Sequence, residues 1–255
     1  IKVDITHAAD NIDQRFYEVK PDQDKNHLLF KILGQFRPDR VIVFCRTKKE
    51  SYDISQFLHN RGIFAKCING DLDQSERTKV LIQFSNESLS VLVATDVAAR
   101  GLDIQELTAV VNYSLPSGAE AYIHRIGRTG RAGHKGLAFS FYSPGEEHRL
   151  EEIEAYTRKK CKVEDATQVT YSKKYDLVPP MQTMFISGGK KDKLRPGDIV
   201  GALVGEAKLD VNDVGNIAVL NILSYVAIRS HRIEQAIEKL KVGRIKKRKF
   251  KVGHA

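Results

Sequence analysis

Short, continuously apolar runs recur through the first 150 residues: Val41-Ile42-Val43-Phe44, Val91-Leu92-Val93-Ala94, Ala109-Val110-Val111 and Leu137-Ala138-Phe139. Unbroken apolar runs suit strands buried on both faces rather than strands with one wet face. Helical spacing of apolar positions fills the gaps, at 26–36, 51–61 and 74–84. Strand alternating with helix predicts an α/β domain, a parallel sheet with helices on both faces. The charge-rich stretch 146–160 reads as a closing helix. Residues 163–180 have few apolar positions and end in Pro179-Pro180, so they read as a connector with a domain break near 180.

A second pattern starts at Met181. Strands are predicted at 183–187, 217–220, 224–228 and 249–252, with helices at 199–205 and 233–240 and a loop at 188–193. The order β-α-β-β-α-β is that of a smaller α+β split βαβ domain.

Composition sharpens this picture. The chain has 255 residues, 42% of them hydrophobic, ample for a packed core. No apolar run has transmembrane length and no signal peptide is visible, so a soluble, non-exported protein is expected. Cys45, Cys67 and Cys161 are scattered, with no paired spacing. That argues against a zinc site or a disulfide framework and fits a reducing cytoplasm. Position 1 is Ile rather than Met, which reads as a piece of a longer protein. Net charge is +9, yet 181–255 holds fifteen Lys and Arg against seven Asp and Glu, while the rest is nearly neutral. A basic lobe beside a neutral one points to a nucleic acid or another acidic partner; a solubilising surface is the alternative.

The densest chemistry lies in His124-Arg125-Ile126-Gly127-Arg128-Thr129-Gly130-Arg131. Each glycine inside a helix costs about 0.5–1 kcal/mol relative to alanine, so this spacing argues against a surface helix. Arg125, Arg128 and Arg131 repel one another unless an anion sits among them, and guanidinium forks match phosphate oxygens. A solvated basic turn is the bland alternative. Thr95-Asp96 ends an apolar run and leads to Arg100-Gly101-Leu102-Asp103, where small residues let backbone amides approach a ligand. A carboxylate there can accept from a ribose hydroxyl; Thr95-Asp96 reads equally as a helix N-cap. Asn69-Gly70-Asp71 with Gln74 and Arg77 offers a phosphate contact, or simply a turn before a capped helix.

Together, VIVFCRT (41–47), INGDLDQSER (68–77), VLVATDVAARGLDI (91–104) and YIHRIGRTGRAG (122–133) resemble the second RecA-like domain of DEAD-box RNA helicases, over residues 1–160. Histidine at 124 favours this group over the DEAH-type helicases. The resemblance implies that Arg128 and Arg131 are arginine fingers toward the ATP γ-phosphate and that Arg125 organises their motif. It implies an interdomain contact by His124 and a ribose contact by Asp103, beside Gly101. Arg46, Thr47, Gly70, Asp71, Gln74, Arg77, Thr95 and Asp96 fall in the stretches that grip or support the RNA backbone. The sequence contains neither a phosphate loop nor an Asp-Glu-Ala-Asp string. The family keeps both, with the Mg2+ site, on a first RecA-like domain, so that domain is an expected partner and this chain alone is expected to hydrolyse no ATP.

Residues 193–203 and 243–250 resemble the C-terminal domain of DbpA-type DEAD-box proteins, which is similar to an RNA recognition motif. The expected boundaries are 1–160 for the RecA-like domain, 161–180 for a linker and 181–253 for the RNA-binding domain. The resemblance implies binding to a hairpin of 23S ribosomal RNA in large-subunit assembly. The usual stacking aromatics are sparse: only Tyr225 and Phe185 stand on the central strands, and both read equally as core. Loops and basic side chains are therefore the expected contacts: Lys190, Lys191, Lys193, Arg195, Arg244, Lys246, Lys247, Arg248 and Lys249, beside Tyr225. A solvated basic tail is the alternative for 244–249. Two rival functions stay open: a non-catalytic RNA-binding chaperone and a DNA-directed helicase.

Overall fold

The computed structural model describes residues 11–102, 104, 107–130, 135–171 and 178–255. These fall into two compact units, one of 11–72 with the described residues of 90–171, the other of 73–89 with 178–255. Among the described residues no helix is long and apolar enough to cross a membrane.

The first unit is built on a seven-stranded parallel sheet. Its strands are β1 (Ile12–Glu18), β2 (Val41–Cys45), β3 (Ala65–Ile68), β4 (Val91–Thr95), β5 (Ala109–Asn112), β6 (Gly136–Tyr142) and β7 (Val163–Glu164). Their spatial order is β3-β4-β2-β5-β6-β1-β7. β2 and β4 are buried at every position, as their unbroken apolar runs require. Helices α1 (Lys25–Phe36) and α2 (Lys48–His59) pack Leu29, Ile32, Leu33, Ile54 and Leu58 on Val41, Val43, Val93 and Phe139. Helices α5 (Ala119–Ile126) and α6 (Glu147–Thr157) pack Tyr122, Ile126, Leu150 and Ile153 on Phe16, Ala138 and Tyr142. Neighbours in one strand, Phe16 and Tyr17 in β1 or Ala138 and Phe139 in β6, serve opposite clusters, so helices cover both faces. The expected α/β architecture is the one observed.

Three strands escaped the sequence reading: β1, the short β3 and β7. β1 carries Asp13, Gln14, Arg15 and Glu18, yet it inserts between β6 and β7 and buries Phe16 and Tyr17 to 1% exposure. Its polar residues find local partners, as in the Arg15 Nη2–Asp13 Oδ2 pair at 2.7 Å. β7 is a two-residue strand within the expected connector.

Helix starts follow side-chain chemistry. Asp24 caps α1 by accepting from Asn26 N at 2.8 Å, and Thr47 caps α2 by accepting from Glu50 N at 3.1 Å. Asp73 and Glu76 form a reciprocal capping box on α3 (Gln74–Ser85).

The second unit has strands β8 (Met181–Ile186), β9 (Val214–Val219), β10 (Ser224–Arg229) and β11 (Val252–His254), in the order β11-β8-β10-β9, all antiparallel. With α7 (Pro196–Gly205) and α8 (Ile233–Val242), the chain order is the expected β-α-β-β-α-β. Met184, Ile186, Val226 and Ile228 form the sheet side of a core completed by Ile199, Leu203, Ile237 and Leu240. The last strand starts at 252 instead of 249, because 244–249 forms a turn described below. On the opposite sheet side, Thr183 meets the segment that follows α3: Asn86 Nδ2 donates to Thr183 Oγ1 at 3.2 Å, and Ser88 Oγ lies 2.7 Å from the same hydroxyl.

Asp73→Ala removes one half of the capping box. We expect a loss of about 0.5–2 kcal/mol, with Asp73→Asn retaining most of it, read from chemical-denaturation midpoints.

Candidate functional site

Parallel α/β sheets collect chemistry at the carboxyl ends of their strands. Here β4 ends in Thr95, β2 in Cys45 and β5 in Asn112, and register pairs Cys45 with Thr95 and Asn112 with Ser140. Thr95 caps the single-turn helix α4 (Asp96–Ala99), accepting from Ala98 N at 3.4 Å. Both readings of Thr95 therefore bear on one residue, which shapes the loop through its cap.

Arg125 crosses this edge from α5. Its side chain is 5% exposed. Nε and Nη2 donate to the two carboxylate oxygens of Asp96 at 2.7 and 2.6 Å, and Nη1 donates to Asn112 Oδ1 at 3.0 Å and to the Ser114 carbonyl at 2.8 Å. The guanidinium carbon sits 4.9 Å from the centre of the Phe44 ring. Arg125 thus faces inward and is occupied by protein acceptors. Asp96 is 45% exposed on its far side.

α5 stops at Ile126, and the glycines explain why Arg128 lies off the helix. Gly130 has φ +68°, and a β-carbon there would lie 2.6 Å from Ile12 Cγ1. Thr129 Oγ1 donates to the Leu107 carbonyl, pinning the turn. Arg128 is half-buried, with Nη1 on the Leu102 carbonyl at 2.9 Å. His124 is exposed on α5. Gly101 takes φ +72° and opens on empty space. Arg131 and Asp103 lie outside the described residues.

Arg46 and Thr47 follow β2. Arg46 is exposed, with Nη2 3.3 Å from Glu146 Oε1. Behind them a cavity of about 420 Å³ is lined by Lys25, Asn26, Tyr113 and Glu146 among others. Burial there holds the Lys25 ammonium below its ordinary pKa and pushes the Tyr113 phenol up. Burial likewise pushes the Cys45 thiol up to about 12, which makes it inert near neutrality.

Gly70 and Asp71 form the turn after β3. Asn69 is 6% exposed and shapes this turn: its Oδ1 accepts from Asp71 N at 2.9 Å while its Nδ2 donates to Ser51 Oγ at 3.0 Å. Lys48 was absent from the sequence-derived set, yet it pairs with Asp71 and lays its stem 3.2 Å from a β-carbon built on Gly70. Only the fold brings 48 and 70 together. Gln74 and Arg77 lie in α3, within the second unit.

In that unit Tyr225 is 5% exposed, so its ring offers no open face for stacking. Desolvation raises its phenol pKa. The basic residues, by contrast, gather at one place. Lys246 and Lys247 occupy the two central positions of a tight turn, both left-handed at φ 50° and 64°, closed by Ile245 N to Arg248 O at 2.9 Å and Arg248 N to Ile245 O at 3.0 Å. Such a turn ordinarily takes Asn-Gly. Lys246 Nζ donates to the Lys193 carbonyl at 2.9 Å, and Arg248 pairs with Asp192 at 3.0 Å. The 244–249 stretch is therefore an ordered hairpin clasped to the 190–193 turn. Lys190, Lys191, Lys193, Arg195, Arg244, Lys247 and Lys249 are exposed.

Two family models match: the helicase conserved C-terminal domain over residues 24–133 and the DbpA RNA binding domain over 183–254. The ATP-dependent RNA helicase DbpA of Escherichia coli is 43% identical over 96% of this chain and 53% of its own length. This chain belongs to the DbpA-type DEAD-box family. DbpA of Bacillus subtilis is 34% identical over 96% of this chain and 55% of its own length. The chain thus spans about half the length of these two DbpA relatives. A structure of the C-terminal domain of the DEAD-box protein Dbp5 is 33% identical, with a TM-score of 0.59, and covers 63% of this chain and 93% of that one. A structure of the E. coli DEAD-box protein SrmB bound to the regulator of ribonuclease activity A aligns at a TM-score of 0.58 and 32% identity, over 64% of this chain and 96% of that one. The sheet of the first unit is the RecA-like one of this family.

Asp96→Ala strands an enclosed guanidinium. A fully buried pair costs about 3–5 kcal/mol when one partner is removed; with Asp96 half-exposed we expect about 2–3 kcal/mol, read from urea unfolding.

Proposed function

We propose that this chain is the C-terminal half of an ATP-dependent RNA helicase, acting on short RNA duplexes. The observation that carries the reading is the Arg125–Asp96 clamp, which ties the loop predicted to hold RNA to the segment that bears Arg128. A first RecA-like domain would hold ATP through its phosphate loop and Mg2+. This edge would face that nucleotide: among the described residues, Arg128 keeps Nε and Nη2 beyond its one anchored nitrogen, and nothing lies against Gly101. ATP supplies a γ-phosphoryl group whose transfer develops charge on oxygen. Arg128, with Arg131, neutralises that charge; a finger of this kind is worth about 10³–10⁵ in rate.

Arg46, Thr47, Gly70, Asp71, Gln74, Arg77, Thr95 and Asp96 would follow the RNA backbone, giving little sequence readout. The lysine hairpin and the 190–195 turn would grip a structured RNA, with a 23S ribosomal RNA hairpin as the proposed target. Nine exposed cations beside a buried Tyr225 support a phosphate-led mode. Tethering there raises the local concentration of the helicase core at nearby duplexes.

In the full-length protein, Arg128→Lys is expected to lower RNA-stimulated ATP turnover at least about 10²-fold, while the present chain alone shows none. Unchanged turnover in the variant overturns the reading. RNA hairpin affinity, followed by fluorescence anisotropy, is expected to fall about 10²-fold between 50 and 200 mM salt for about five phosphate contacts. An affinity indifferent to salt contradicts the phosphate-led mode.

A further inference from the structure

Asn112 and Ser140 are an anomaly in the centre of an apolar sheet. Both are fully buried, and they face each other across β5 and β6 with Asn112 Nδ2 donating to Ser140 Oγ at 3.0 Å. Their strand neighbours are Ala109, Val110, Val111, Phe139 and Phe141, all fully buried as well. A buried amide and hydroxyl carry a desolvation cost that an apolar pair of the same shape avoids, so the sheet by itself gives no reason for them.

The reason lies at the other end of the amide. Asn112 Oδ1 accepts from Arg125 Nη1 at 3.0 Å. Ser140 orients the amide by taking its Nδ2, which leaves Oδ1 aimed at the guanidinium. With the Ser114 carbonyl at 2.8 Å, Asn112 holds Nη1 from one side, so that Nε and Nη2 meet the two oxygens of Asp96 side by side. A planar guanidinium has one orientation that satisfies all three acceptors, and Asn112 selects it. An uncharged acceptor suits this position, because a second carboxylate would compete with Asp96 for the same cation.

We propose that Asn112, backed by Ser140, is a positioning residue for RNA-stimulated ATP turnover: it sets the plane of Arg125 and thereby couples the Asp96 loop to the arginine segment that follows. The proposal rests on the helicase reading above. Without Asn112 the guanidinium can turn, Asp96 loses its paired geometry, and the loop that meets RNA loosens. Nucleotide contacts that do not run through Arg125 stay in place.

The test uses the full-length protein, with Asn112→Leu and with the double variant Asn112→Leu/Ser140→Ala. The double variant removes the amide and the hydroxyl it faces together, so neither of these two is left stranded inside the sheet. In both, the RNA concentration for half-maximal ATPase stimulation is expected to rise about tenfold while KM for ATP stays within about twofold of wild type. In an Asp96→Asn background, Asn112→Leu is expected to add less than about twofold, since both act through one guanidinium. A merely structural role predicts parallel changes in the RNA and ATP parameters, and additivity with Asp96→Asn. Either result overturns the proposal, as does RNA half-saturation within twofold of wild type in both variants. A wild-type protein with no RNA-stimulated turnover overturns the helicase reading itself, which is a distinguishable failure.

Discussion

A single enclosed cation organises the candidate site. Arg125 has almost no contact with water, so its charge and donors must be answered by protein. Asp96 answers the charge, Asn112 and the Ser114 carbonyl take the remaining hydrogen bonds, and Phe44 covers one face. Those four partners come from the ends of β4, β5 and β2 and from the turn after β5. Satisfying one guanidinium therefore fixes the relative positions of three strand ends and the N-terminus of α4.

The parallel sheet makes the arrangement possible. Every strand runs the same way, so residues at the carboxyl ends share one rim of the first unit. β2 and β4 are buried along their whole length, and polar groups gather where the central strands finish: Thr95, Asn112 and the Arg46-Thr47 pair after Cys45. The helix starts at this rim double as loop architecture. Thr47 and Thr95 spend their hydroxyls on capping, which holds each loop in place without ligand.

The second unit solves a different problem, the crowding of like charges. Its lysines are spread by an ordered turn instead of a loose tail. Two consecutive left-handed lysines store backbone strain, and the Lys246–Lys193 and Arg248–Asp192 contacts offset it. The same strain turns Lys247 outward beside Arg244 and Lys249, which concentrates positive potential at one end of the domain. The side of the sheet away from the helices is closed where Thr183 meets Asn86 and Ser88, and Tyr225 is buried. Tyr225 is therefore unavailable for stacking, and charge is what the exposed turns of this domain offer.

Much of this protein was legible in the order of its residues. Unbroken apolar runs at 41–44, 91–94 and 109–111 specified doubly covered strands, because water excluded from both faces leaves no room for alternation. The glycine spacing after His124 announced a turn, because Gly130 needs a positive φ and close approach to Ile12. β1 was hidden, since Asp13, Gln14 and Arg15 break its apolar pattern and only pairing with β6 and β7 reveals it as a strand. Nor could spacing show that Arg125 turns inward while Arg128 stays half-exposed three residues later. That division depends on where Asp96 and Asn112 arrive from strands distant in the chain. Local pattern determined the elements, because propensity and capping act over a few residues; tertiary structure decided which charges are enclosed and which remain available, because desolvation depends on everything packed around them.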